Sequence, residues 1–127
     1  MRVEEVLARK GDGVHAVSPE ATLREAAELL LDKNIGALVC TDPSGGIVGL
    51  IGERELARAL ARFGADVGSR PVSQVMTRDV FACASDDEVD YLLAVMTETR
   101  CRHIPVVREG EVIGLVSIGD LVKARQS

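Results

Sequence analysis

Apolar residues along this chain follow two different spacings, and both recur in the same order in its two halves. Leu23, Ala26, Ala27 and Leu30 fall at i, i+3, i+4 and i+7, the apolar stripe of an amphipathic helix, and predict a helix over Leu23–Lys33. Val89, Leu92, Leu93 and Met96 have the same spacing and predict a second helix over Val89–Thr99. Short apolar runs bounded by turn residues predict strands over residues 14–17, 35–41 and 47–51, and again over 80–83, 104–107 and 112–116. Asp42-Pro43-Ser44-Gly45-Gly46 and Glu109-Gly110 supply the hairpin turns, and closing helices begin near Glu53 and Ile118. Thr22 and Glu25 have capping-box spacing at the first helix start; Asp86, Asp87 and Glu88 put negative charge where the second helix dipole favours it.

The order of elements is an internal duplication. A shift of 66 positions lays Val14-His15-Ala16-Val17 on Val80-Phe81-Ala82-Cys83 and one helical stripe on the other. With one turn residue deleted, a shift of 65 lays Ile47-Val48-Gly49-Leu50-Ile51 on Val112-Ile113-Gly114-Leu115-Val116 and Leu56 on Leu121. Chance hardly produces such matches in order. Each repeat has a similar lead-in, Val3-Glu4-Glu5-Val6-Leu7 and Val72-Ser73-Gln74-Val75-Met76. The reading is an α+β protein of two tandem β-α-β-β-α repeats. The first, with its lead-in, takes residues 1–63, a Gly/Pro/Ser-rich linker takes 64–73, and the second repeat takes 74–127.

Duplicated units of this size resemble the cystathionine-beta-synthase (CBS) repeat family. The local motifs Arg102-His103-Ile104-Pro105-Val106-Val107, Val112 through Asp120, and Val75-Met76-Thr77 are similar to that family's signatures. The resemblance covers nearly the whole chain. It implies two repeats packed about a pseudo-twofold axis, with clefts that hold AMP, ADP or ATP, or else S-adenosylmethionine or NAD(H), as regulatory ligands. It implies a regulatory module that signals to a protein target, requires no cofactor and is not an enzyme. The alternative is a ligand-free dimerisation or docking scaffold with vestigial clefts.

Composition narrows the choice. Hydrophobic residues make up 46%, yet there is no Trp, one Tyr and two Phe, so the core must be aliphatic. A net charge of −5 argues against a nucleic-acid surface, and the basic residues are mostly Arg, which suits a localised phosphate contact. No run is long and apolar enough for a membrane span, and the start lacks a signal peptide, so a cytoplasmic protein is expected. Cys40, Cys83 and Cys101 are odd in number and lack metal-ligand spacing; they read as buried free thiols in a reducing compartment, with no metal site. Leu29, Leu31 and Val95 flank the helical stripes and suggest, with the resemblance, a homodimer.

Candidate site residues lie where strand passes into helix. Asp120 is the resemblance's acceptor for two ribose hydroxyls, and Ser117, with Leu115 and Gly119 around it, the ribose or phosphate contact. Ser117 and Asp120 also have the spacing of a plain helix cap, and both readings stand. The equivalent first-repeat positions, Gly52 and Glu55, lack the hydroxyl and lengthen the acid, so that site reads as degenerate. The resemblance completes the Asp120 pocket with Asp12, Gly13, Val14 and His15, and with Ile35, Gly36 and Ala37. Gly36 fits either close ligand approach or tight packing, and His15 faces either solvent or pocket. Arg102 and His103 match positions that touch phosphate, but beside Pro105 they also read as solvated strand-edge residues.

Overall fold

In the computed structural model residues 1–11 and 13–126 are described. Asp12, one of the expected pocket residues, lies outside them. Among the described residues there are five α-helices and two three-stranded sheets. The elements are α1 (Val3–Lys10), β1 (Ala16–Val17), α2 (Leu23–Lys33), β2 (Ala37–Thr41), β3 (Ile47–Gly52), α3 (Glu53–Phe63), β4 (Cys83–Ala84), α4 (Val89–Thr99), β5 (His103–Arg108), β6 (Glu111–Ser117) and α5 (Ile118–Gln126). Two 3-10 turns, Gly64–Ser69 and Val72–Gln74, occupy the join. The mixed α/β architecture and the helices α2 and α4 are as the periodicity predicts.

The two sheets are built alike. β1 pairs parallel with β2 and β2 antiparallel with β3; β4, β5 and β6 repeat that pattern. Local chemistry explains the corners. Thr22 Oγ accepts the Glu25 N–H at 3.1 Å while Glu25 accepts the Thr22 N–H at 3.0 Å, closing the capping box that starts α2. Glu109 and Gly110 both have positive φ, 52° and 81°, as a two-residue hairpin turn demands. Asp42 Oδ1 accepts the N–H groups of Ser44 and Gly46, folding the longer first turn on itself.

Two expectations need correction. The leading strands are shorter and later than apolar content suggested: residues 13–15 and 80–82 lie outside any strand, and Ala16–Val17 and Cys83–Ala84 are the parts that pair in the ladders. More consequential is an exchange of lead-ins. The chain forms two compact units, residues 1–14 with 81–127, and residues 15–80. α1 therefore packs on the second repeat: Val3 and Val6 are buried in one core with Leu92, Met96, Ile104, Val116 and Leu121. The second lead-in packs on the first repeat, where Val72 and Met76 join Leu23, Leu30, Leu38 and Ile51. Residues 64–73 are thus no bare linker, since Val67 packs on that core and Val72 is fully buried. Neighbourhood in sequence suggested that each lead-in served its own repeat; the hydrophobic faces are satisfied by crossing over.

Glycines admit the exchanged segments. A Cβ on Gly114 of β6 would lie 2.6 Å from the Leu7 side chain of α1. At the aligned position in β3, a Cβ on Gly49 would lie 2.7 Å from Met76 Sδ and 2.9 Å from the Thr77 carbonyl. Each hairpin keeps a notch into which the exchanged lead-in sets one apolar side chain.

Candidate functional site

The join of β6 to α5, in the residue 1–14/81–127 unit, gathers four polar contacts on two residues and a lysine. Ser117 and Asp120 cap α5 reciprocally: Ser117 Oγ accepts the Asp120 N–H at 3.0 Å, and Asp120 Oδ2 accepts the Ser117 N–H at 2.9 Å. Lys10, at the end of α1, donates to the same Oδ2 at 2.9 Å and to the Leu115 carbonyl at 2.7 Å. Asp120 Oδ1 has no hydrogen-bond partner among the described residues, and the side chain keeps 27% of its surface open. Burial by itself pushes the Asp120 carboxyl up. The hydrogen bonds from Lys10 and the Ser117 N–H, with the ammonium charge, outweigh it and hold the group below the ordinary carboxylate value. The site therefore offers an ionised carboxylate with one oxygen committed and the other available.

The aligned join of β3 to α3 is different. Gly52 has no hydroxyl to give, and the reason is steric: a Cβ there would sit 2.6 Å from the Gly36 carbonyl oxygen. Glu55 reaches back to accept the Gly52 N–H at 2.8 Å through Oε1, and its Oε2 accepts the Thr77 hydroxyl at 3.3 Å. Both carboxylate oxygens are engaged within the residue 15–80 unit, which gives a physical basis for reading this join as structural.

The remaining sequence-derived residues divide between the units. Arg102 is exposed, and its carbonyl accepts the Ile118 N–H at 2.9 Å; His103 is half-buried at the start of β5, in register with Ser117. Leu115 is buried, Gly119 is exposed beside the Ser117 hydroxyl, and Gly13 and Val14 belong to the same unit. His15, Ile35, Gly36 and Ala37 belong to the other unit. There the His15 carbonyl accepts the Val39 N–H at 3.1 Å and the Gly36 carbonyl accepts the Glu53 N–H at 3.2 Å. Tight packing at Gly36 is therefore present on its carbonyl side. Lys10 was missed by sequence reasoning: the lead-ins align it with Asp79, and no motif marks it.

Elsewhere, an open groove of about 580 Å³ beside α4 and α5 is lined by Asp90, Leu93, Thr97, Glu98 and Arg125, with an Arg125–Asp90 ion pair at 3.3 Å. It includes none of the candidate residues. All three cysteines are free; Cys40 and Cys83 are buried and Cys101 is half-buried. Burial, with a smaller push from Glu55 and Asp87 respectively, raises the Cys40 and Cys83 thiols to about 12. Among the described residues no helix is long and apolar enough to cross a membrane.

Known proteins share this architecture. A CBS-domain protein of Agrobacterium tumefaciens has a crystal structure that superposes with a TM-score of 0.94 at 42% identity, covering 98% of this chain and 99% of that one. The CBS domain pair of protein MJ0100, solved in complex with 5′-methylthioadenosine and S-adenosyl-L-methionine, superposes at 0.87 with 26% identity, covering 99% and 96%. An uncharacterised 17.7 kDa protein of Acidianus ambivalens is 38% identical over 87% of this chain, which spans 66% of its length. At 28% identity the chain also matches 22% of an L-aspartate semialdehyde sulfurtransferase of Methanocaldococcus jannaschii. The CBS-domain model matches twice, over residues 3–62 and 72–127, in step with the duplicated elements, the paired hairpins and the strand-to-helix joins. This chain belongs to the CBS-domain family, as a tandem pair.

Proposed function

We propose that this CBS pair is a regulatory module that binds an adenosine-containing ligand, an adenine nucleotide first, and transmits occupancy to a protein target rather than catalysing a reaction. The observation that carries the reading is the Asp120 carboxylate: ionised, fixed by Ser117 at a helix start, and open at Oδ1. A carboxylate accepts from both hydroxyls of a ribose diol with charge-assisted hydrogen bonds, and the N-terminus of α5 favours a negatively charged group nearby. Support also comes from the MJ0100 pair, which holds adenosyl ligands at 26% identity. The test is calorimetric titration with AMP, ATP, NADH and S-adenosylmethionine. At a hundredfold excess over its dissociation constant a ligand adds about 2.7 kcal/mol, a readily measured rise in thermal midpoint. No binding and no shift with any of the four removes the reading. The Glu55 geometry favours a second reading, in which the pair is a scaffold, because there both carboxylate oxygens accept from the protein itself, at the Gly52 N–H and the Thr77 hydroxyl. A scaffold predicts a flat titration with every adenosyl ligand.

A further inference from the structure

We propose that Lys10 determines specificity at the Asp120 site, by holding the carboxylate oxygen that a ribose needs and yielding it best to ligands that bring their own negative charge. The inference rests on the reading that Asp120 binds ribose, and it deepens that reading to a ligand class.

Asp120 Oδ2 already accepts two donors, the Ser117 N–H and the Lys10 ammonium, while Oδ1 accepts none among the described residues. A carboxylate has about four acceptor positions, two on each oxygen. A diol that spreads over both oxygens must therefore take the place of one donor. The Ser117 N–H is fixed by the backbone of the cap; the Lys10 ammonium is not. Nor is Lys10 a stray surface lysine. α1 is docked through Val3, Val6 and the Leu7 side chain seated against Gly114, one residue before the Leu115 carbonyl that the ammonium also holds. The neighbouring helix thus delivers a cation to the ribose acceptor.

Displacement leaves Lys10 with a neutral carbonyl and no counter-ion among the described residues, in a place where its side chain is only 35% exposed. Adenosine and methylthioadenosine offer nothing in exchange. A nucleotide offers phosphate oxygens, and a lysine on a four-carbon stem is a mobile point charge suited to take them. The site thereby discriminates between anionic nucleotides and uncharged adenosyl compounds.

The experiment titrates the full chain and its Lys10→Met and Lys10→Arg variants with adenosine and with ATP. In Lys10→Met the competitor is gone, so adenosine binds about two- to fivefold more tightly, the scale of a part-exposed ion pair. ATP loses its cation and binds about five- to tenfold more weakly. Lys10→Arg keeps the charge, so its ATP-to-adenosine ratio stays closer to the parent's than that of Lys10→Met does. Movement of both ligands in the same direction, or an unchanged ratio in Lys10→Met, overturns the role of Lys10 alone. If the parent protein binds neither ligand, the ribose reading fails and this inference with it.

Discussion

At the scale of single residues, the ionisable side chains report on their hydrogen bonds. Asp120 lies below its ordinary value because Lys10 and Ser117 together outweigh burial. Glu25 is lowered by the Thr22 N–H and hydroxyl, and Asp42 by the Ser44 hydroxyl and the turn N–H groups. In each case the unfolded chain binds the proton more readily, so stability is complete above the ordinary carboxylate range and falls as pH drops through the folded value. Asp120→Asn should flatten the acid limb of a stability–pH curve below about pH 4, while changing the neutral plateau by only about 1 kcal/mol. Chemical denaturation at a series of pH values reads both effects. The thiols give a second check. With Cys40 and Cys83 buried and raised to about 12, only Cys101 should react with a thiol reagent in the native protein at neutral pH. All three should react once the chain unfolds. Rapid native labelling of Cys40 or Cys83 would contradict the packing of β2 or β4.

Elements show how the two joins diverged. Gly52 stands where Ser117 stands in the other repeat, and inserting a hydroxyl there by Gly52→Ser forces a Cβ to 2.6 Å from the Gly36 carbonyl. Backbone cannot retreat as a side chain can, so this variant should lose about 1–3 kcal/mol and gain no ligand site. The notch glycines predict an asymmetry. Gly49→Ala meets the Thr77 carbonyl as well as Met76, whereas the atoms nearest a Cβ at Gly114 all belong to the Leu7 side chain, so Gly49→Ala should be the more destabilising in thermal melts. Much of this architecture is legible in sequence because periodicity and capping are local: the Leu23 and Val89 stripes, the Thr22 box and the Glu109-Gly110 turn each lie within one element. The short leading strands are less so, since apolar content at residues 14–15 and 80–82 does not tell a paired strand from a connection. Leu29 and Val95 misled for the same reason. They look like surplus apolar surface in a helical projection, yet both pack on their own cores, while Leu31 is 81% exposed. Lys10 was invisible because its partner is 110 residues away.

For the whole molecule, the exchange of lead-ins sets what can fold. A fragment of residues 15–80 contains every member of the core built on Leu23, Leu38, Ile51, Val72 and Met76. The sequence repeat, residues 1–63, lacks Val72 and Met76 and leaves Val3 and Val6 without their core. Circular dichroism and thermal melts should therefore find the first fragment the more stable, and the reverse order would contradict the exchange. The homodimer remains a proposal supported by exposed apolar residues, Leu31 and Leu60 together with Ile118 and Val122 on α5, and sedimentation showing only monomer at micromolar concentration would remove it. In the proposed function Asp120 is the ribose acceptor and Glu55 a structural cap. One calorimetric titration series decides it, with ATP as ligand and the parent protein, Asp120→Ala and Glu55→Ala as receptors. The geometry predicts one site per chain in the parent and a loss of at least about tenfold in Asp120→Ala, since 1.4 kcal/mol is one decade and a charge-assisted hydrogen bond is worth about that or more. Glu55→Ala should bind as the parent does. Silent Asp120→Ala with abolished binding in Glu55→Ala would place the working site at the other join, and binding untouched by either would contradict the ribose–carboxylate account.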